Sequence, residues 1–172
     1  YYSEALKGRA ANYLALGTTS NKRGVYHAFP VIDTVGETIL GVAVIKGSAE
    51  YVEDKLFAGK NDILLFVDPH GIVFISNQDP WRFKLLWQQD DDILNEIIDS
   101  RQFGNGPWPW TGFSAHKDRF VVDKHGVRYI YNSLPVPQYP GWQLVSLRNY
   151  DDLAKQVSEP FVRVLGPVVT SI

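Results

Sequence analysis

Cysteine is absent from all 172 residues. That excludes a disulfide framework, a thiolate nucleophile and any cysteine-ligated metal. It is compatible with an oxidising compartment without identifying one. Methionine is absent too, even at position 1, so a chain opening Tyr1-Tyr2 is expected to be a fragment or a processed product. No signal peptide is visible, and no run reaches the roughly 18 apolar residues a membrane span needs. Any such segments are expected outside this piece. An excess of charge is lacking as well: 17 Lys and Arg stand against 19 Asp and Glu, a net charge of −2. The chain therefore has no electrostatic reason to seek nucleic acid or an anionic membrane surface. There is no Gly-rich phosphate loop, no nucleophile elbow and no metalloprotease histidine pair, so no catalytic residue and no cofactor are expected. His27, His70, His116 and His125 lack zinc-site spacing. His70 and His125 each precede a glycine in a predicted turn, and no metal is expected either.

What is present suits a folded protein of one or two small domains, 45% hydrophobic and 21% charged. Ser3 is a candidate cap for a short helix over "EALKG". "ANYLALG", "RGVYHAFPVI" and "TILGVAVIKG" read as three antiparallel strands joined by short turns. The third, apolar almost throughout, reads as central or buried on both faces. Ser48 caps a helix over "AEYVEDKLFAG", whose Tyr51, Leu56 and Phe57 are candidates to face a core. Asp68-Pro69-His70-Gly71 then turns a hairpin between two apolar runs. Asp90 to Asp92 open a helix with an apolar stripe of Ile93, Leu94, Ile97 and Ile98. Trp108 and Trp110, in "GPWPW", read as a loop pinned over a core. Three more strands follow, turning at Lys124-His125-Gly126 and at 138–141, and "NYDDLAKQV" reads as a closing helix.

The repeat is one of architecture rather than of letters. Residues 62–150 read as hairpin, helices and three-stranded meander, and residues 9–46 as a meander alone. Two copies of one unit follow, each a five-stranded antiparallel sheet flanked by helices, the first incomplete at its N-terminus. This is an α+β, PAS-like layout. The expected divisions are 1–47, a connecting helix at 48–60, the second unit at 61–150, and a C-terminal helix at 151–172.

The stretch "LGTTSNKRGVYHAFPV" places Thr18, Thr19 and Ser20 beside Lys22 and Arg23. Hydroxyls next to cations are good parts for holding a small anion. They also make an ordinary polar turn. Residues 1–47 carry a local excess of +2, from Lys7, Arg9, Lys22, Arg23 and Lys46 against Glu4, Asp33 and Glu37. Lys46 ends an apolar strand, where a cation at the rim of a dry pocket is less screened.

These segments, with "GVAVIK", "LLFVDPHGIVFISNQDPWRFKLL" and "YPGWQLVSL", resemble the tandem PAS-like (double Cache, or PDC) periplasmic sensor region of bacterial sensor histidine kinases. They are most similar to dicarboxylate sensors of the DctB type, and the resemblance covers about residues 1–150. It implies an extracytoplasmic domain of an inner-membrane protein that binds a small carboxylate or dicarboxylate in its membrane-distal unit. Thr19, Ser20 and Lys46 match pocket positions best, followed by Thr18, Arg23 and Tyr26. Tyr1-Tyr2 matches the tail of the family's Arg-Pro-Tyr element. The strand departs from the family at Val25 and His27, where a Tyr-Tyr pair is usual. The implied partners are the carboxylate, a membrane reached through segments outside the piece, and a second copy in a homodimer, with no nucleic acid. A chemoreceptor or diguanylate cyclase is the rival output, and a soluble PAS-like enzyme or interaction domain the rival class. "FVRVLGPVVTSI", Phe161 to Ile172, reads as the approach to a membrane span or as an apolar segment packed on the first unit.

Overall fold

The computed structural model describes residues 1–36, 38–115 and 119–156. The expectations for His116 and for Phe161 to Ile172 fall outside them. A one-turn helix, α1 (Tyr2–Ala5), opens the chain. Ser3 does not cap it. The N-cap position is Tyr1 and makes no side-chain bond, while Glu4 pairs with Lys7 and Arg9.

Strands β1 (Ala11–Leu16), β2 (Arg23–Ile32) and β3 (Ile39–Ser48) form one antiparallel sheet in the order β1-β2-β3. The expectation that β3 is central or doubly buried is incorrect. In a three-strand meander the middle strand must be β2, and β3 lies at the edge with Leu40, Val44 and Ile45 exposed. An unbroken apolar run reports how much of a strand is apolar, not which neighbours it has.

Helix α2 (Ala49–Leu56) follows directly, and Ser48 Oγ accepts from Tyr51 N at 3.2 Å, the expected cap. Its inward residues are Ala49 and Glu53, with Phe57 just beyond; Tyr51 and Leu56 face outward instead. The hairpin of β4 (Ile63–Val67) and β5 (Val73–Ser76) turns with Gly71 at φ 92°, a backbone only glycine adopts cheaply. A 3-10 turn at Asp79–Trp81 leads on to α3 (Asp91–Ser100), where Asp90 Oδ1 accepts from Ile93 N at 3.0 Å. Of the α3 stripe, Ile97 is buried and Ile98 exposed. Then come β6 (Ser114–Ala115), β7 (Phe120–Val122), β8 (Arg128–Pro135) and β9 (Gln143–Asn149). Helical backbone resumes at 150 and is described to 156.

The second sheet runs β5-β4-β9-β8-β7-β6. It has six strands rather than five, because Ser114 and Ala115 add a two-residue edge paired to Val122 and Val121. Both of its faces are buried. Leu65, Val67, Val73, Phe113, Val121, Val145 and Leu147 pack on one side. On the other, Phe74, Ile75 and Trp142 join Ile97, Phe103 and Trp108, and this core also takes in Leu14, Val25, Ala49 and Phe57. The first sheet thus shares a core with the second, which fixes where its polar face points. No helix among the described residues is long and apolar enough to cross a membrane.

Candidate functional site

Strand register builds the site. Tyr13 on β1 is opposite Tyr26 on β2, and Tyr26 is opposite Lys46 on β3. Residues directly opposite share a face, so the three side chains make one row across the sheet. Tyr1 stacks on Tyr13, ring centroids 4.9 Å apart, and leans toward Tyr26 at 5.8 Å. Lys46 Nζ sits 5.4 Å from the centre of the Tyr26 ring.

The β1–β2 turn closes over the end of this row. Gly17 N donates to Lys22 O at 2.9 Å, and Asn21 N donates to Gly17 O at 2.8 Å. Ser20 Oγ accepts from Lys46 Nζ at 2.9 Å. A Cβ on Gly17 would lie 2.6 Å from Ser20 Oγ, 2.8 Å from Lys46 Nζ and 3.0 Å from Tyr26 OH. Three polar groups therefore converge on space that only glycine leaves open. Gly24 does the same for the lysine stem, since a Cβ there would lie 2.6 Å from Lys46 Cε.

The result is a cavity of about 440 Å³ lined by Thr18, Thr19, Ser20, Tyr26 and Lys46, with Tyr1, Tyr13, Gly17, Ser100 and Arg101. Among the described residues its lining contains two cations and no carboxylate. Such a surface favours an anion, and its hydroxyl and ammonium groups supply charge-assisted hydrogen bonds. Lys46 is exposed, so the expected dry rim is a wet one, and the attraction is correspondingly screened.

Five of the six sequence-predicted residues thus line one cavity. Arg23 does not. It is 6% exposed and points away into the core, where Nη1 and Nη2 bind Glu53 at 2.6 and 2.9 Å and Nη1 also donates to Phe74 O at 2.8 Å. The physical reason is alternation. Arg23 and Tyr26 are three residues apart on β2, so they point to opposite faces. Sequence reasoning missed Tyr13, Gly17, Ser100 and Arg101. Tyr13 was findable from its cross-strand register, but no local signal brings α3 to the first sheet. Trp108 is buried as expected, while Trp110 is 41% exposed. Among the described residues no cluster of His, Asp or Glu gathers as for a metal; His27 meets Asn12 and His70 meets Asp68.

A second cavity, about 490 Å³, lies between the sheets and is lined mainly by apolar groups such as Leu14, Val25, Phe57, Phe66 and Leu144. Among the described residues no Lys or Arg lines it, and its polar side chains come only from His27 and Tyr139.

Two antiparallel sheets flanked by helices, with a polar cavity beside the turn of the first, match the class of periplasmic sensor domains of PDC/Cache fold. The solved sensor domain of the V. cholerae histidine kinase DctB superposes with a TM-score of 0.76 and 29% identity, over 87% of this chain and 59% of that one. In sequence the chain is 43% identical over 83 residues to the C4-dicarboxylate transport sensor protein DctB of Pseudomonas aeruginosa, and 35% identical over 108 residues to that of Rhizobium meliloti. These stretches are 48% and 62% of this chain but 13% and 17% of the relatives, so the chain spans under a fifth of their length. The periplasmic domain of RsbU from Chlamydia trachomatis shares the fold at a TM-score of 0.64 and 10% identity, over 86% of this chain and 58% of that one. No family model matches. In sequence and fold the chain is similar to sensor domains of the DctB type.

Proposed function

We propose that the chain is the ligand-sensing part of a membrane-bound two-component sensor histidine kinase, and that its cavity binds a small carboxylate or dicarboxylate. One observation carries the reading: Lys46 Nζ, Ser20 Oγ and Tyr26 OH converge beside Gly17 in a cavity lined by no acid among the described residues. The relatives' names, which specify C4-dicarboxylate transport sensing, support it. Chemoreceptor ligand-binding domains of the same fold hold amino acids, such as L-Arg in PctB of Pseudomonas aeruginosa. An amino acid also carries an ammonium, and the lining here offers that group no carboxylate.

In this reading residues 1–47 belong to a membrane-distal unit and residues 61–150 to a membrane-proximal one. The helix at 48–60 connects them, and residues 151–172 lead toward a membrane span. Support comes from the two separate sheets with α2 between them. Ligand binding shifts the signalling equilibrium only by its differential affinity for two states, about 1–3 kcal/mol of coupling.

The test is calorimetry with succinate. Lys46→Ala is expected to weaken binding by about 1.5–3 kcal/mol, the size of a charge-assisted hydrogen bond. Unchanged affinity removes Lys46 from the site.

A further inference from the structure

Arg101 reaches the cavity from the other half of the chain. It follows the last residue of α3, and its backbone is left-handed at φ 53°. Glycine or asparagine is the usual occupant of such a helix end, because a Cβ is disfavoured there. The turn is nonetheless held on every side. Arg101 N donates to Ile98 O at 3.0 Å, and Ser100 Oγ donates to Ile97 O at 2.6 Å. Gln102 O accepts from Leu16 N at 2.8 Å, and Gln102 Nε2 donates to Leu14 O at 2.7 Å. Those last two bonds fasten the end of α3 to β1, one residue before Gly17. They set Arg101 against the hydroxyl turn, where it lines both the main cavity and an adjoining hollow with Thr18 and Asn21.

Among the described residues the guanidinium makes no hydrogen bond or ion pair. Arg9, Arg23, Arg82, Arg128 and Arg148 each pair with a carboxylate. Arg101 pairs with none among the described residues. The cavity therefore carries one cation from β3 and a second from beyond α3, with no acid among the described residues lining it to neutralise either. That arrangement complements a dianion with a charge at each end, and a guanidinium is well shaped to grip a carboxylate with two parallel bonds.

We propose that Arg101 is a second carboxylate-binding group of this cavity. It confers preference for dicarboxylates over monocarboxylates, and the bound dicarboxylate bridges Lys46 on the first sheet to the turn that ends α3. This rests on the carboxylate reading of the site, which the controls below separate from it. Bridging also supplies differential contact: a ligand that touches both bodies stabilises one relative placement of them.

The experiment is calorimetry on the full-length protein with succinate and with butyrate, which has the same carbon count and one carboxylate. Wild type is expected to bind succinate at least tenfold more tightly. Arg101→Gly is the informative variant, because glycine suits the φ of 53°, so the fold is retained or its Tm raised. It is expected to lose tenfold or more in succinate affinity while butyrate changes less than twofold. Arg101→Lys is expected to fall between, keeping the charge and losing the fork. Lys46→Ala is expected to weaken both ligands. If Arg101→Gly binds succinate as wild type does while Lys46→Ala does not, the proposal is overturned and the carboxylate reading stands. If wild type binds neither anion, the carboxylate reading falls and takes the proposal with it.

Discussion

Arg23 of β2 and Glu53 of α2 form a buried, two-pronged ion pair, with N–O distances of 2.6 and 2.9 Å. Glu53 also accepts from Arg82 Nη2 at 2.7 Å and from Ser76 N at 2.8 Å. One carboxylate, 5% exposed, thereby ties the first sheet, the connecting helix and the β4–β5 hairpin at a single point. Such a point has a structural role that is separable from ligand binding.

Glu53→Gln is expected to destabilise the protein by about 3 kcal/mol, because it leaves the buried Arg23 with only the half-exposed Glu50 and Arg82 with only the exposed Asp79. Urea unfolding measures this. Replacing Glu53 and Arg23 together by methionine is expected to cost less than either single change, since the buried Arg23 charge is then gone, Arg82 keeps Asp79 and Glu50 is half-exposed to water. A loss under 1 kcal/mol for Glu53→Gln contradicts the structural role.

Gly17→Ala tests the convergence of donors. Its new Cβ would crowd Ser20 Oγ, Lys46 Nζ and Tyr26 OH, all at the far ends of side chains. Those ends move cheaply, so stability is expected to change by no more than about 1 kcal/mol. Succinate affinity is expected to fall tenfold or more, because the displaced groups are the proposed binding groups. Retained affinity in calorimetry puts the ligand elsewhere.

Ser48→Ala removes the cap of α2, whose Oγ accepts from Tyr51 N and donates to Glu50 Oε2. A loss of about 1 kcal/mol is expected by thermal or chemical unfolding. No loss means that β3 running straight into the helix orders its first turn without the hydroxyl.

A pH dependence follows from Asp62. Arg148 donates Nε and Nη2 to its two oxygens, both at 2.7 Å, and these bonds hold the carboxyl below the usual carboxylate range. A lowered native pKa adds stability that is present above the unfolded value, near 3.9, and is lost as pH falls through the native value. Relative to wild type, Asp62→Asn is expected to be destabilised by a constant amount from pH 7 to about pH 5. The gap is expected to close on further acidification. A gap that persists undiminished at pH 2.5 in urea titrations rules out the pairing as its source.

Local chemistry was legible in the chain. The hairpin at Asp68 to Gly71, the caps at Ser48 and Asp90, and the strands around the 17–22 turn all depend on residues within a few positions of one another. The hydroxyl turn and Lys46 were legible as a set because the β2–β3 meander brings Tyr26 and Lys46 into register through one short connection. A strand's apolar content also told correctly that it was a strand.

What composition and spacing left open is which face and which neighbour. Arg23 looks like one more cation beside the Thr18 to Ser20 hydroxyls, and only strand alternation, together with a buried Glu53 thirty residues away, turns it into the core. The third strand looks central until the meander order places it at an edge. Arg101 is invisible as a site residue because it lies 55 positions from Lys46, and their joint presence at one cavity depends on the Gln102 bonds to β1. By itself the sequence determined the elements, their turns and one half of the cavity, because those rest on local hydrogen bonding and period. The tertiary structure decided the other half, because packing two sheets on a shared core is a long-range event that no local pattern encodes.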